Sequence, residues 1–154
     1  MGWASAPYDP RWERRYPARA AAMAAAGPAA NLILAVLAFA ALKGGIWQGW
    51  WARATTFSLD RIVAPVAEEP TFLEGPARFL SILFVLNLLL FLFNLLPFPP
   101  LDGASVVSGL ISPLRGWIDR LRRSPFGPML GILAAWTLFP YLFAPVYGWV
   151  LALL

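Results

Sequence analysis

The chain has 154 residues, of which 60% are hydrophobic and only 13% charged, with a formal net charge of +4. That leaves too little polar surface for a single soluble domain and fits a polytopic membrane protein. Zero cysteines exclude a disulfide framework or a thiolate-held metal, and zero histidines remove the other common zinc donor.

Residues 1–19 form a polar, basic lead with Arg11, Arg14, Arg15 and Arg19, and they lack the apolar core of a cleavable signal peptide. Such arginines snorkel to lipid phosphates. Residues 20–42 carry no charge over 23 positions, enough to cross a bilayer core of about 30 Å. Their first half is rich in alanine, which lets helices approach closely in lipid. Gly27-Pro28 is expected to loosen this helix early, because proline lacks a backbone donor and crowds the preceding turn. Asn31, one turn on, has an interhelical hydrogen bond as its plainest role.

Residues 43–78 read as a connection with a Trp47/Trp50/Trp51 cluster expected to anchor at the membrane interface. Glu68 and Glu69 are adjacent, so they point apart on any regular element and read as a solvated loop rather than a catalytic pair. A second span is predicted near 79–96. Within it, Asn87 and Asn94 are seven apart and share a helix face, which should turn inward from lipid. Pro97, Pro99 and Pro100 end that helix, and residues 104–110 are expected to restart a short one. Between them stands a lone acid, Asp102, followed by Gly103. Irregular backbone in a membrane survives only where protein or water covers it, and an ionisable group there is a functional candidate. Asp102 could also cap the short helix by accepting its first backbone N–H groups.

Residues 112–124 are basic, with Arg115, Arg120, Arg122 and Arg123, and read as a surface segment beside anionic headgroups. Residues 124–154 hold no charge but contain four prolines, so one kinked span near 126–150, or a span plus an interfacial piece, is expected. The fold class is therefore an all-α membrane protein with about three transmembrane helices, broken at the Pro-rich segment. Its organisation reads as an interfacial lead at 1–19, a membrane core at 20–124 and a kinked terminal segment at 125–154. With three spans, the lead and the Asp102 loop share one side and hold eight arginines. The other side has four basic residues against four acids. The positive-inside rule puts Asp102 at the cytoplasmic face. One lysine against eleven arginines points to a GC-rich bacterial genome, hence the bacterial cytoplasmic membrane. The bilayer is the implied partner, and the small basic excess calls for no nucleic acid.

The string Asn94-Leu-Leu-Pro-Phe-Pro-Pro-Leu-Asp-Gly103 resembles the Asn-x-x-Pro-x-Pro-x-Leu-Asp-Gly motif of the site-2 protease family of intramembrane zinc metalloproteases. Ala26-Gly-Pro-Ala-Ala-Asn31 resembles that family's Ala-Gly-Pro-x-x-Asn. Gly2-Trp3-Ala4 with Pro7 and Pro10 is similar to the segment leading into it. The resemblance implies that Asp102 is the third zinc ligand. It implies that Asn94 and Asn31 frame the catalytic cavity within the motif fixed by Pro97, Pro99 and Gly103, and that the substrate is a transmembrane regulatory protein. The family's other two zinc ligands and its general base come from an H-E-x-x-H helix, which this sequence lacks. That helix is expected upstream of the matched region, so the chain reads as a C-terminal part of a protease or as a remnant. Alone it is expected to be inactive and to hold no zinc tightly. The alternative reading is a non-catalytic structural or assembly subunit of a membrane complex.

Overall fold

The computed structural model describes residues 10–66 and 72–154. Glu68 and Glu69, and the Gly2–Pro7 part of the family resemblance, lie outside them. The chain runs α1 (Pro10–Arg15), α2 (Pro17–Trp47), β1 (Trp51–Ser58), β2 (Arg61–Pro65), α3 (Glu74–Asn94), α4 (Asp102–Leu110), α5 (Ser112–Arg123) and α6 (Gly127–Ala152). Helices α2, α3 and α6 are each long and apolar enough to cross a membrane. The expected class, an all-α membrane protein, is the one found.

The spans are longer than their charge-free cores. Helix α2 has 31 residues, about 46 Å at 1.5 Å per residue, so it outruns the hydrocarbon core. It starts at Pro17, whose fixed φ and missing N–H suit a first helical position. It continues through Pro28 without a break, contrary to the expected loosening. Prolines 140 and 145 likewise sit inside an unbroken α6, which resolves the terminal segment into one span.

Two compact units divide the chain: residues 1–27 with 95–135, and residues 28–94 with 136–154. In the second, Ala35, Ala38 and Leu42 of α2 form a buried stripe packed with Phe84, Val85 and Leu88 of α3. Rings from α6 join them: Phe84 and Tyr147 stack at 6.5 Å, and Phe143 and Tyr147 at 5.2 Å. In lipid, apolar transfer adds little, so close packing and ring pairs worth about 0.5–1.5 kcal/mol each supply the cohesion.

The connection after α2 is more ordered than the sequence suggested. Strands β1 and β2 pair antiparallel, with Trp51 opposite Pro65, Ala52 opposite Ala64 and Ser58 opposite Arg61. The Ser58 hydroxyl donates to Asp60 Oδ1 at 2.7 Å across the turn. That bond, ahead of other causes, holds the exposed Asp60 carboxyl below its usual range. Ser81 docks the hairpin on α3. Its Oγ accepts the Ile62 N–H at 3.2 Å and donates to the Ala77 carbonyl at 2.7 Å. Two ion pairs, Arg61–Glu74 at 3.1 Å and Arg78–Asp60 at 3.5 Å, close its rim. Trp51 corrects the interfacial reading of its cluster. It is only 5% exposed, and its indole N–H donates to the Leu73 carbonyl, whereas Trp47 and Trp50 are exposed. Asn87 is buried as expected, but its amide donates back to the Leu83 carbonyl of its own helix at 2.8 Å.

Candidate functional site

The Pro-rich segment belongs to the first unit and is built around close backbone approaches. After α3 ends at Asn94, residues 95–101 follow an irregular path, with the Leu101 N–H donating to the Phe98 carbonyl at 2.9 Å. Pro97 is half-buried and Pro99 is fully buried. Two glycines make this path possible. A Cβ at Gly103 would run into the Leu95 and Leu96 carbonyls, and one at Gly131 of α6 would run into the Pro99 carbonyl. Backbone packed this tightly has no room for a side chain. The loop is thus fixed at its start by α4 and in its middle by α6.

Asp102 opens α4, with Leu101 in the N-cap position at φ −69° and ψ 154° and no side-chain cap bond. Asp102 is therefore the first helical residue rather than the cap, which corrects one of its two expected roles. Among the described residues its carboxylate takes no hydrogen bond, and it turns toward Gly27 of α2. An ideal Cβ on Gly27 would stand 3.4 Å from Asp102 Oδ2. The Ala-Gly-Pro and Leu-Asp-Gly motifs, 75 positions apart, meet at that point. Burial pushes the Asp102 carboxyl above its usual range, because a partly desolvated site disfavours the charged form. No ion pair satisfies it among the described residues.

The predicted site residues fall in both units. Pro97, Pro99, Asp102 and Gly103 are brought together in the first. Asn31 and Asn94 belong to the second, where each is half-buried. Asn94 is the last residue of α3, so its predicted place inside a helix running to residue 96 shortens by two residues. Gly131 escaped the sequence reading, since nothing local in α6 marks it as the residue that meets Pro99.

A catalytic zinc site takes three protein ligands. Among the described residues no three histidines, cysteines or carboxylates cluster, and the sequence holds no histidine or cysteine at all. One aspartate is a single ligand, so the residues present do not form a zinc site by themselves.

A profile of "Peptidase family M50" matches residues 6–138. The chain is 34% identical over 114 residues, 73% of its length, to a Bacillus subtilis (strain 168) protein named "Putative zinc metalloprotease YwhC". It spans 45% of that curated relative, about half its length. No solved structure matches. With the family profile extending over most of the chain, and with both matched motifs converging on Asp102, the chain belongs to peptidase family M50, the site-2 proteases.

Proposed function

We propose that this chain carries the Leu-Asp-Gly half of a site-2-type intramembrane metalloprotease. Its task is to present Asp102 as one zinc ligand to a site completed by histidines from an H-E-x-x-H helix. The observation that carries the reading is the pairing of Gly27 with the Asp102 carboxylate. A glycine there keeps clear the space into which a single acid projects, and among the described residues that acid is neither a helix cap nor half of an ion pair. The metal is implied by the family, and Asp102 is the one carboxylate ligand this chain would supply for it. Asn31 and Asn94 are proposed to frame the substrate cavity, and the substrate class is a transmembrane protein segment. The proposed setting is the bacterial cytoplasmic membrane, with Asp102 at its cytoplasmic side, a placement the arginine distribution supports.

The test is zinc content measured twice, on the purified chain and on the chain reconstituted in lipid with a polypeptide bearing an H-E-x-x-H helix. The proposal expects stoichiometric zinc only in the second. No zinc in either would support the other reading, a non-catalytic membrane subunit. That reading draws on the donor set, since one carboxylate without histidine or cysteine cannot hold zinc against water.

A further inference from the structure

We propose a site for the phosphate of an anionic phospholipid in the first unit, in the cleft framed by α1, α4 and α5. The cleft encloses about 440 Å³, within the range of small-ligand sites. Four arginines line it, Arg14, Arg115, Arg122 and Arg123, against two acids, Glu13 and Asp119.

The acids are already engaged. Glu13 accepts from Arg122 Nη1 at 3.1 Å, and Asp119 lies 3.7 Å from Arg123 Nη2. Arg122 is further fixed by donating from Nη2 to Ser105 Oγ at 2.7 Å. The positive charge left over belongs to Arg14 and Arg115. Arg115 is held in place by its Nε, which donates to the Ser108 carbonyl at 2.9 Å, and its terminal nitrogens are not used in that bond. A guanidinium anchored through Nε presents a preset pair of donors, the geometry that suits phosphate oxygens.

The surroundings select a lipid as the source of that phosphate. Leu110, Ile111, Leu114 and Trp117 are exposed on the end of α4 and on α5. Helix α5 sets such apolar positions beside a basic face, the pattern of a helix lying in the plane of the headgroups. Its last residue, Arg123, is four positions from the start of the membrane-spanning α6. The chain's topology thus puts a positively charged cleft at headgroup level, where each basic residue gains from anionic lipid. This site is separate from the Asp102 chemistry and stands whether or not the chain takes part in proteolysis.

Binding is measured on the full chain reconstituted in phosphatidylcholine nanodiscs with increasing phosphatidylglycerol, reading retained phosphatidylglycerol per chain at fixed ionic strength. Saturable retention is expected. Arg14→Gln and Arg115→Gln should each weaken it roughly five- to tenfold, the worth of about one basic contact with an anionic headgroup. Arg120→Gln removes the same charge from the same helix but outside the cleft, and it should change retention less than about twofold. Because Arg115 also braces α4, Arg115→Lys is the check on folding and should recover part of the affinity. Arg14→Gln breaks no hydrogen bond or ion pair among the described residues. Equal losses in all three Gln variants would show diffuse attraction and overturn the site. So would linear, non-saturable uptake. Displacement of the lipid by inorganic phosphate as tightly as phosphatidylglycerol itself binds would assign the cleft to free phosphate and overturn the lipid assignment.

Discussion

Gly27 and Asp102 face each other, with 3.4 Å between the carboxylate Oδ2 and the place a Gly27 Cβ would take. A methyl fits at that distance but fills the space in front of the acid. Gly27→Ala should therefore fold. It should even gain about 0.5–1 kcal/mol, because alanine is the better residue in a helix interior. In a protein completed by the histidine-bearing half, the same change should lower zinc content or proteolysis at least about tenfold, since a 1 Å misplacement at a reacting site costs more than that. Thermal unfolding in detergent and cleavage of a transmembrane substrate separate the two effects. Unchanged cleavage would mean that the space at Gly27 has no role in the site.

Gly103 and Gly131 differ from Gly27 because what stands in the way of a Cβ is backbone, not a side chain. Neither the Leu95 and Leu96 carbonyls nor the Pro99 carbonyl can swing aside. Gly103→Ala and Gly131→Ala should each destabilise by about 1–3 kcal/mol, the usual cost of overpacking. The loss should be visible as a lowered unfolding midpoint in detergent. An unchanged midpoint in both would contradict the tight loop.

Ser81 joins the hairpin to α3 through one buried oxygen, which accepts the Ile62 N–H of β2 and donates to the Ala77 carbonyl of its own helix. Ser81→Ala leaves the Ile62 N–H without a partner, at a cost of about 1–3 kcal/mol. That free energy corresponds to hydrogen exchange at residues 51–65 faster by roughly five- to a hundredfold, with α3 less affected. Uniform acceleration across α3 and the hairpin would show that Ser81 supports the helix rather than the docking.

Much of the fold was legible because charge-free runs of spanning length have few alternatives. Residues 20–42, 79–96 and 126–150 each lie within, or nearly within, an observed span. The helix ends were not legible. Helices continue past the hydrocarbon into the headgroup layer, where charge no longer marks a boundary. Lys43 lies within α2, its ammonium donating to the Leu153 carbonyl. The hairpin was hidden by its surroundings. Tryptophan and charge point to the interface, while the pairing itself rests on Ile62, Val63 and Ser81, 19 residues beyond Ile62. At the site, Asp102 was found from its isolation beside glycine and proline. Gly27 stands in the Ala-Gly-Pro motif for a spatial reason, the acid it faces, and not for loosening the helix. A glycine opposite an acid, like Gly131 opposite Pro99, is a long-range relation that no local pattern carries.

Asp102 is proposed to serve as a metal ligand and not as a relic of the family pattern. Asp102→Asn keeps size and helical position but removes the anionic donor. The direct measurement is zinc per complex, with substrate cleavage in parallel, in the chain reconstituted with an H-E-x-x-H-bearing half. Losing an anionic ligand that touches the metal should cost at least the roughly ten- to hundredfold typical of losing a group that only hydrogen-bonds a ligand, so both readings should fall by at least about that much. Full zinc content and full cleavage in Asp102→Asn would contradict the assignment and leave the non-catalytic membrane subunit as the better account.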